Sequence, residues 1–542
     1  MGSNCERDTA AARFPLLAKP GGSHHITATM RSYLQCILLT VLSGFPPLAA
    51  QAGLGRISFP TSGAPAAQPE FIRGVLLLHS FQYEEAAEAF QAAQRLDPGF
   101  AMAYWGEALT YTHQVWNQQD RGAARAVLAR LGATAAARRA RAPTPREQGY
   151  LGTLEQLYGE GSKPRRDTLY ATALEAMVRD YPDDDEAKIF YSVALLGLSQ
   201  GIRDVPTYIR AGAIASDVFR RNDDHPGAAH FIIHAFDDPV HAPLGLYAAR
   251  RYSVIAPGAS HAQHMTTHIF LALGMWDDVA RQNEVAAGPV RTRWRPGHYT
   301  HWLVYAYLQQ GRRDEAARLV AVLASNTTPA ARGQLANIRA RYVLEAERWY
   351  SPEAHALAAD TAIAGEDEYE YATYAAGLAA LRRGDRGIAA AHLAGLERRY
   401  RDAFAAVKPG DPGSAVVPLI LTWSLGAEIQ AHDGKFDEAV SLLRRATALE
   451  DRMPEEFGPP AVVAPSHETL GRIYLAAGKP VEAARAFGRA LELGPGRSAA
   501  LVGLTRSAKA AGRADLATRA LTTLRQNWLH ADPDLTTFLS QP

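Results

Sequence analysis

The chain has 542 residues, of which 47% are hydrophobic and 21% charged, with a formal net charge of +1. That length is ample for a large buried core, and the charge balance gives no bulk electrostatic reason to expect nucleic acid or an acidic membrane as partner. Ala, Leu, Arg and Glu dominate while alternating β-branched runs are scarce, which favours an all-α fold.

Residues 1–52 read as address rather than fold. From Met30, with Arg31 as the positive residue, an apolar stretch Cys36-Ile37-Leu38-Leu39-Thr40-Val41-Leu42 leads to Ala50-Gln51-Ala52, a small-x-small cleavage pattern. The run is too short to span a bilayer as a mature helix, so the expectation is a secretory leader and a periplasmic or secreted product. The start could be Met1 or Met30. Both cysteines, Cys5 and Cys36, precede the expected cut. A mature chain would then hold a metal only through His or carboxylate.

Residues 53–67, rich in Gly, Pro, Ser and Ala, read as a linker. A helical repeat domain follows over 68–528, with 529–542 as a tail. Its first unit carries Gly74, Ala86, Phe90, Ala93 and Pro98; its clearest one carries Leu470, Gly471, Tyr474, Ala483, Phe487, Ala490 and Pro495. Both resemble the tetratricopeptide plan of two antiparallel helices with small residues where they cross. Further pairs fall at about 101–132, 147–181, 184–222, 226–256, 260–288, 298–325, 331–363, 368–400 and 416–450. One such unit cannot bury its own apolar face, so stacking supplies the core and the expected architecture is an all-α, right-handed superhelical solenoid.

Two strings carry the chemistry: His230-Phe231-Ile232-Ile233-His234 and His264-Met265-Thr266-Thr267-His268, offset by 34 residues (264 − 230). Residues four apart share a helix face, and the offset equals one tetratricopeptide unit, so four imidazoles should face one seam between neighbouring repeats. Counted back from the first residue of each inter-helix turn, His264 and His230 lie ten before, His268 and His234 six before, His301 ten before, and His79 and His113 two before. These offsets differ by four, so the seven define one stripe, expected to line the concave groove. His261 and His298, one turn further back, could join it.

Clustered imidazoles repel when protonated and need partners when neutral; a cation removes both problems. Nitrogen-only ligands suit copper or zinc. The side-by-side HxxxH helices look like the paired-copper arrangement of haemocyanin and tyrosinase, an analogy of site and not of fold. His79, His113 or His301 would have to supply the third ligands. Zinc hydrolysis is less attractive, because Phe231 and Met265 stand where HExxH has its glutamate. Asp237 and Asp238 are candidates to orient ring nitrogens; Asp277 and Asp278 read as solvated turn carboxylates.

On the same ruler Trp105, Tyr305, Glu468 and Arg472 fall on the groove side, as candidate walls for a small organic ligand. The Pro-rich stretch Glu455-Glu456-Phe457-Gly458-Pro459-Pro460 is a lid, an additional ligand-binding wall or a rigid spacer, and Arg339-Ala340-Arg341 adds basic charge. There is no phosphate loop, nucleophile elbow or CxxC pair, which leaves nucleotide-dependent, serine-hydrolase and thiol-redox chemistry without support.

The strings Gly74-Val75-Leu76-Leu77-Leu78-His79-Ser80-Phe81, Ala103-Tyr104-Trp105-Gly106-Glu107-Ala108, His225-Pro226-Gly227-Ala228-Ala229-His230, His264-x3-His268, His301-Trp302-Leu303 and Phe457-Gly458-Pro459-Pro460 together resemble a group of bacterial exported tetratricopeptide-repeat proteins. The resemblance covers nearly all of 68–515 and implies fold and export while leaving the reaction open. Two functions follow as expectations. One is an exported metalloprotein whose groove holds copper or zinc and performs oxidative or Lewis-acid chemistry on a small organic molecule. The other is a scaffold that docks a peptide or protein without catalysis.

Overall fold

The computed structural model describes residues 53–199, 203–359, 369–407, 413–454 and 457–540. The leader expected over 1–52 lies outside them. The described chain is an all-α stack of antiparallel helix pairs. In order, these are Gln68–His79 with Tyr83–Leu96 (pair 1), Ala101–Leu109 with Arg121–Leu131 (pair 2), Pro145–Leu157 with Lys163–Asp180 (pair 3) and Asp185–Leu196 with Val205–Arg221 (pair 4). The central repeats are Pro226–Ala235 with Ala242–Ile255 (pair 5), Ser260–Ala272 with Trp276–Ala286 (pair 6), His298–Gln309 with Arg313–Ser325 (pair 7) and Arg332–Glu345 with Pro352–Ala359 (pair 8). Then come Tyr369–Arg382 with Arg386–Ala406 (pair 9), Gly413–His432 with Phe436–Glu450 (pair 10), Ser466–Ala476 with Pro480–Leu493 (pair 11) and Ser498–Ala510 with Ala514–Asn527 (pair 12), closed by a short helix Pro533–Ser540.

The repeat residues act as expected. Phe90 of pair 1 lies between Gly74 and Gly106, where an added Cβ would come within 2.7 Å and 2.3 Å of its ring. Phe487 of pair 11 repeats the arrangement between Gly471 and Gly503, at 2.7 Å and 2.3 Å. An aromatic knob from a second helix thus fills the seam between two successive first helices, and only glycine leaves room for it. The turn glycines Gly274, Gly311 and Gly478 take φ of +69°, +70° and +72°, the left-handed bend that ends each first helix.

Two sequence expectations change. The stretch 53–67 is not a free linker: Phe59 is buried against Phe71, Trp105 and Tyr150, and Ser62 donates to Glu147. The described part of the expected tail, 529–540, is anchored as well, since the Asp532 amide donates to the Gly311 carbonyl and the Asp532 carboxylate accepts from the Asp314 amide.

That contact belongs to a larger closure. Pairs 11 and 12 fold back onto the turns of pairs 6 and 7. Trp276 Nε1 donates to the Gly496 carbonyl at 3.0 Å, and Ser498 bonds Gln309 through both its amide (2.9 Å) and its hydroxyl (2.6 Å). Gly274 approaches Pro495 so closely that an added Cβ would lie 2.9 Å from its carbonyl oxygen. Among the described residues no helix is long and apolar enough to cross a membrane.

Candidate metal centre

The first helices of pairs 5 and 6 carry the histidines. Every residue of Pro226–Ala235 is buried, and Ala262–Ala272 of the next first helix are likewise buried. A helix enclosed on all sides must be apolar throughout or have its polar groups satisfied in place. Gly227 permits the close approach, because a Cβ there would sit 2.6 Å from His79 Nδ1.

Six imidazoles gather into two triads. His230, His234 and His261 offer ring nitrogens within 4.8 Å of one another, and so do His264, His268 and His298. In the first triad His230 Nε2 lies 3.1 Å from His234 Nε2 and 3.2 Å from His261 Nε2. In the second, His264 Nε2 and His268 Nε2 are 3.1 Å apart. The triads adjoin: the rings of His234 and His268 have centroids 6.2 Å apart. The helix Ser260–Ala272 serves both, sending His261 to one and His264 with His268 to the other.

The far nitrogens decide the tautomers. His230 Nδ1 donates to the His79 carbonyl at 2.6 Å. His268 Nδ1 donates to the Asp237 carboxylate at 2.5 Å. His264 Nδ1 donates to Asn283 Oδ1 at 2.7 Å, and Asn283 is oriented for this by donating its own amide to the Val279 carbonyl. Each of these rings, when neutral, therefore presents a bare lone pair at Nε2. In the second triad two such lone pairs face each other at 3.1 Å. A cation between them, whether proton or metal, relieves that arrangement. Burial pushes the pKa of His230, His234, His261 and His264 well below the usual imidazole value, and neighbouring histidines push the same way; His298 is lowered to about 4, again mainly by burial. That disfavours a proton on those five rings. Nitrogens held about 2.0 Å from a tetrahedral ion would be ~3.3 Å apart, close to the spacing here.

Aromatic rings wall both triads. Trp302 packs on His264 and His268, with centroids at 4.8 Å and 4.5 Å, and Phe457 lies against His268 at 5.2 Å. Phe81 covers the first triad, 4.4 Å from His230. Its φ is +55°, at the turn position where other repeats place glycine. A non-glycine residue there costs roughly 1–2 kcal/mol, which its ring contacts offset.

The remaining candidates are elsewhere. His79 lies behind the first triad: its Nε2 bonds Glu186 at 2.8 Å, and Glu186 also pairs with His225 at 3.2 Å. These three could also reach one ion. His225 Nδ1 accepts from the Ala228 amide, but His225 Nε2, Glu186 Oε1 and His79 Nδ1 are buried without a hydrogen-bond partner, so the cluster is not satisfied by its own members. His113 is not on a helix at all. The first helix of pair 2 ends at Leu109 and a small hairpin, Thr112–His113 against Gln118–Gln119, places the ring on Tyr83. His301 Nε2 accepts from Arg341 Nε at 3.0 Å and belongs to neither triad.

Of the proposed groove residues, Trp105 is fully buried among Phe59, Tyr150 and Phe190, because the 53–67 segment covers that face. Tyr305, Glu468 and Arg472 belong to the junction with the C-terminal repeats. The Tyr305 hydroxyl accepts from Arg497 (2.6 Å), Glu468 pairs with Arg497 and Arg472 with Glu428. Asp237 does orient a triad ring, that of His268. Asp238 instead pairs with Arg203 and His241, Asp277 accepts from Gln310 and Asp278 pairs with Arg281.

His261 and His298, peripheral in the sequence, complete the triads in place of His79, His113 and His301. The signal was present: both lie thirteen residues before their turn glycines (274 − 261 and 311 − 298). Asn283 and Phe81 had no such signal.

No protein-family signature and no curated protein matches the chain. Among solved structures it is similar to human IFIT1, solved as a dimer with PPP-AAAA, at 13% identity over 86% of this chain and 91% of that one, with TM-score 0.36. It is also similar to a putative kinesin light chain of Podosopora anserina with TPR-like repeats (19% identity, 44% and 94% coverage, TM-score 0.22). Yeast Tom70 is a third (11% identity, 88% and 95% coverage, TM-score 0.27). These likenesses concern the stacking of helix pairs and say nothing of the histidines.

Removing the Asp237 carboxylate with Asp237→Ala is expected to weaken metal binding at the second triad by about 10- to 100-fold and to leave the first triad unchanged. Competition against a chelator of known affinity, titrated over two equivalents of metal, reads this directly. Two unaltered affinities would mean that Asp237 orients nothing that binds.

Proposed function

We propose that this tetratricopeptide-like solenoid is a metalloprotein that holds two copper or zinc ions, one on His230, His234 and His261 and one on His264, His268 and His298. The observation that carries the reading is the pair of bare Nε2 lone pairs of His264 and His268, 3.1 Å apart and locked by outer hydrogen bonds from Nδ1. Three nitrogens per ion leave a coordination position for an exchangeable ligand, which is the arrangement of a catalytic rather than a closed structural site. A bound ion would supply Lewis-acid or, for copper, redox chemistry to a small organic molecule. The protein's own share is to fix the ring tautomers and to wall the site with Phe81, Trp302 and Phe457.

Export to the periplasm or beyond is part of the same proposal and rests on the sequence from Met30 to Ala52. A second reading, a scaffold that docks a peptide or protein, is favoured by the repeat architecture itself, since stacked helix pairs commonly serve as binding surfaces.

Metal analysis of protein from its own host, with His230→Ala and His264→Ala variants, tests the proposal. The expected result is close to two ions per chain, one in each variant and none in the double variant. A folded protein with little metal, unchanged by these substitutions, and one stoichiometric protein partner would replace the proposal with the scaffold reading.

A further inference from the structure

The fold-back of pairs 11 and 12 leaves an open-mouthed cavity of about 530 Å³, lined by them, by the end of pair 10 and the loop after it, and by pairs 5–7. It lies beyond Asp237 and Phe457, outside both triads, and ligand pockets of roughly 300–1,000 Å³ are the usual size for small organic molecules. Its apolar wall includes Leu271, Trp276, Met453 and Val462. Three large side chains that folding would ordinarily bury stand exposed around it: Val240 at 71%, Phe457 at 43% and Leu493 at 40%. Exposed apolar residues gathered on one cavity mark a binding site more often than single scattered ones do.

The charged groups around the cavity point to the class of ligand. On the C-terminal side Asp451 pairs with His467 and Arg489, while Arg497 is held by Glu345 and Glu468. On the other side Asp237 holds His268 and Asp238 holds Arg203. Among the described charged residues of the lining, no unmatched cation remains to attract an anion, and no fully ionised carboxylate without a partner to attract a cation. Glu450 is the exception: its carboxylate accepts from the Ser466 amide, and burial raises its pKa to about 7. Near neutral pH it is partly a neutral acid, able to donate a hydrogen bond.

The geometry points to a binding site in this cavity for one uncharged, mainly apolar organic molecule. The inference does not depend on the metal reading, because every group it uses lies outside the triads or is held by them from behind.

The experiment titrates the full chain with N-phenyl-1-naphthylamine, an uncharged fluorescent probe. Saturable binding of about one probe per chain is expected, unchanged by a metal chelator. Leu493→Arg and Val240→Arg place a charge on exposed rim positions and should weaken binding at least 10-fold with the fold intact by circular dichroism. Leu244→Arg, an equally exposed apolar position away from the cavity (63% exposed), should bind as the parent does. The sulfonated analogue 8-anilinonaphthalene-1-sulfonate should bind at least 10-fold more weakly than the uncharged probe. Non-saturating fluorescence, or parent-like binding by both rim variants, would overturn the site; equal or tighter binding of the sulfonate would overturn the ligand class.

Discussion

Metal-free protein is expected to lose about 4 kcal/mol of stability between pH 7.5 and pH 5.5. His230, His234 and His264 are buried, and burial holds each well below the usual imidazole value. Their folded pKa is depressed, so below pH 6.5 the unfolded chain takes up protons that the folded chain refuses. Stability is therefore intact above about pH 6.5 and falls as the pH drops toward the folded values. One unit below 6.5, each such histidine costs about 1.4 kcal/mol. Glu186 falls in a separate window: its two histidine partners overcome its burial and lower it to about 2, so its contribution persists above the ordinary carboxylate range and is lost as the pH falls from about 4.5 toward 2. Urea unfolding at a series of pH values, with chelator, measures the first window. A flat profile from 7.5 to 5.5 would show that the triads titrate like exposed imidazoles. Added metal should raise stability most at the upper end, where protons do not compete for Nε2.

Arg497→Ala is expected to cost about 3–5 kcal/mol and to release the C-terminal repeats from pairs 6 and 7. The guanidinium is 3% exposed and meets Glu468 twice (2.6 Å and 2.9 Å), Glu345 at 2.9 Å and the Tyr305 hydroxyl at 2.6 Å. Removing it strands two carboxylates, 4% and 6% exposed, without their cation. Losing the cation and both anions together should cost much less, so Arg497→Met with Glu468→Gln and Glu345→Gln should recover much of the loss. Limited proteolysis near residue 496, compared among the three proteins, reads the release. If Arg497→Ala unfolds no earlier than the parent, the junction is held by the Ser498–Gln309 and Trp276–Gly496 bonds instead.

Much of this molecule was legible in its residues, for a physical reason. Helix pairing is local: Gly74 and Gly471 make room for Phe90 and Phe487 a few turns away, and the turn glycines recur at a readable spacing. Of the seven histidines on one ruler, His230, His234, His264 and His268 are four of the six that the structure gathers into triads. The ruler misled where it assumed regular repeats. Pair 2 breaks after Leu109 into a hairpin, so His113 leaves the stripe; the 53–67 segment buries Trp105; and Arg341, arriving from pair 8, claims His301. The last two came from contacts made by chain far from the residue in sequence, the first from a local break in the repeat.

From the order of residues alone came the all-α repeat, the seam between pairs 5 and 6 and the absence of thiolate ligands from the repeat domain, because periodicity and composition are properties of neighbouring residues. Tertiary structure alone decided that His261 and His298 complete the two triads, that Asp237, Asn283 and the His79 carbonyl orient the rings, and that the last repeats return to line an open-mouthed cavity. Those outcomes depend on the angle at which successive pairs stack, a small rotation per repeat that accumulates along the solenoid. No single window of sequence carries that sum.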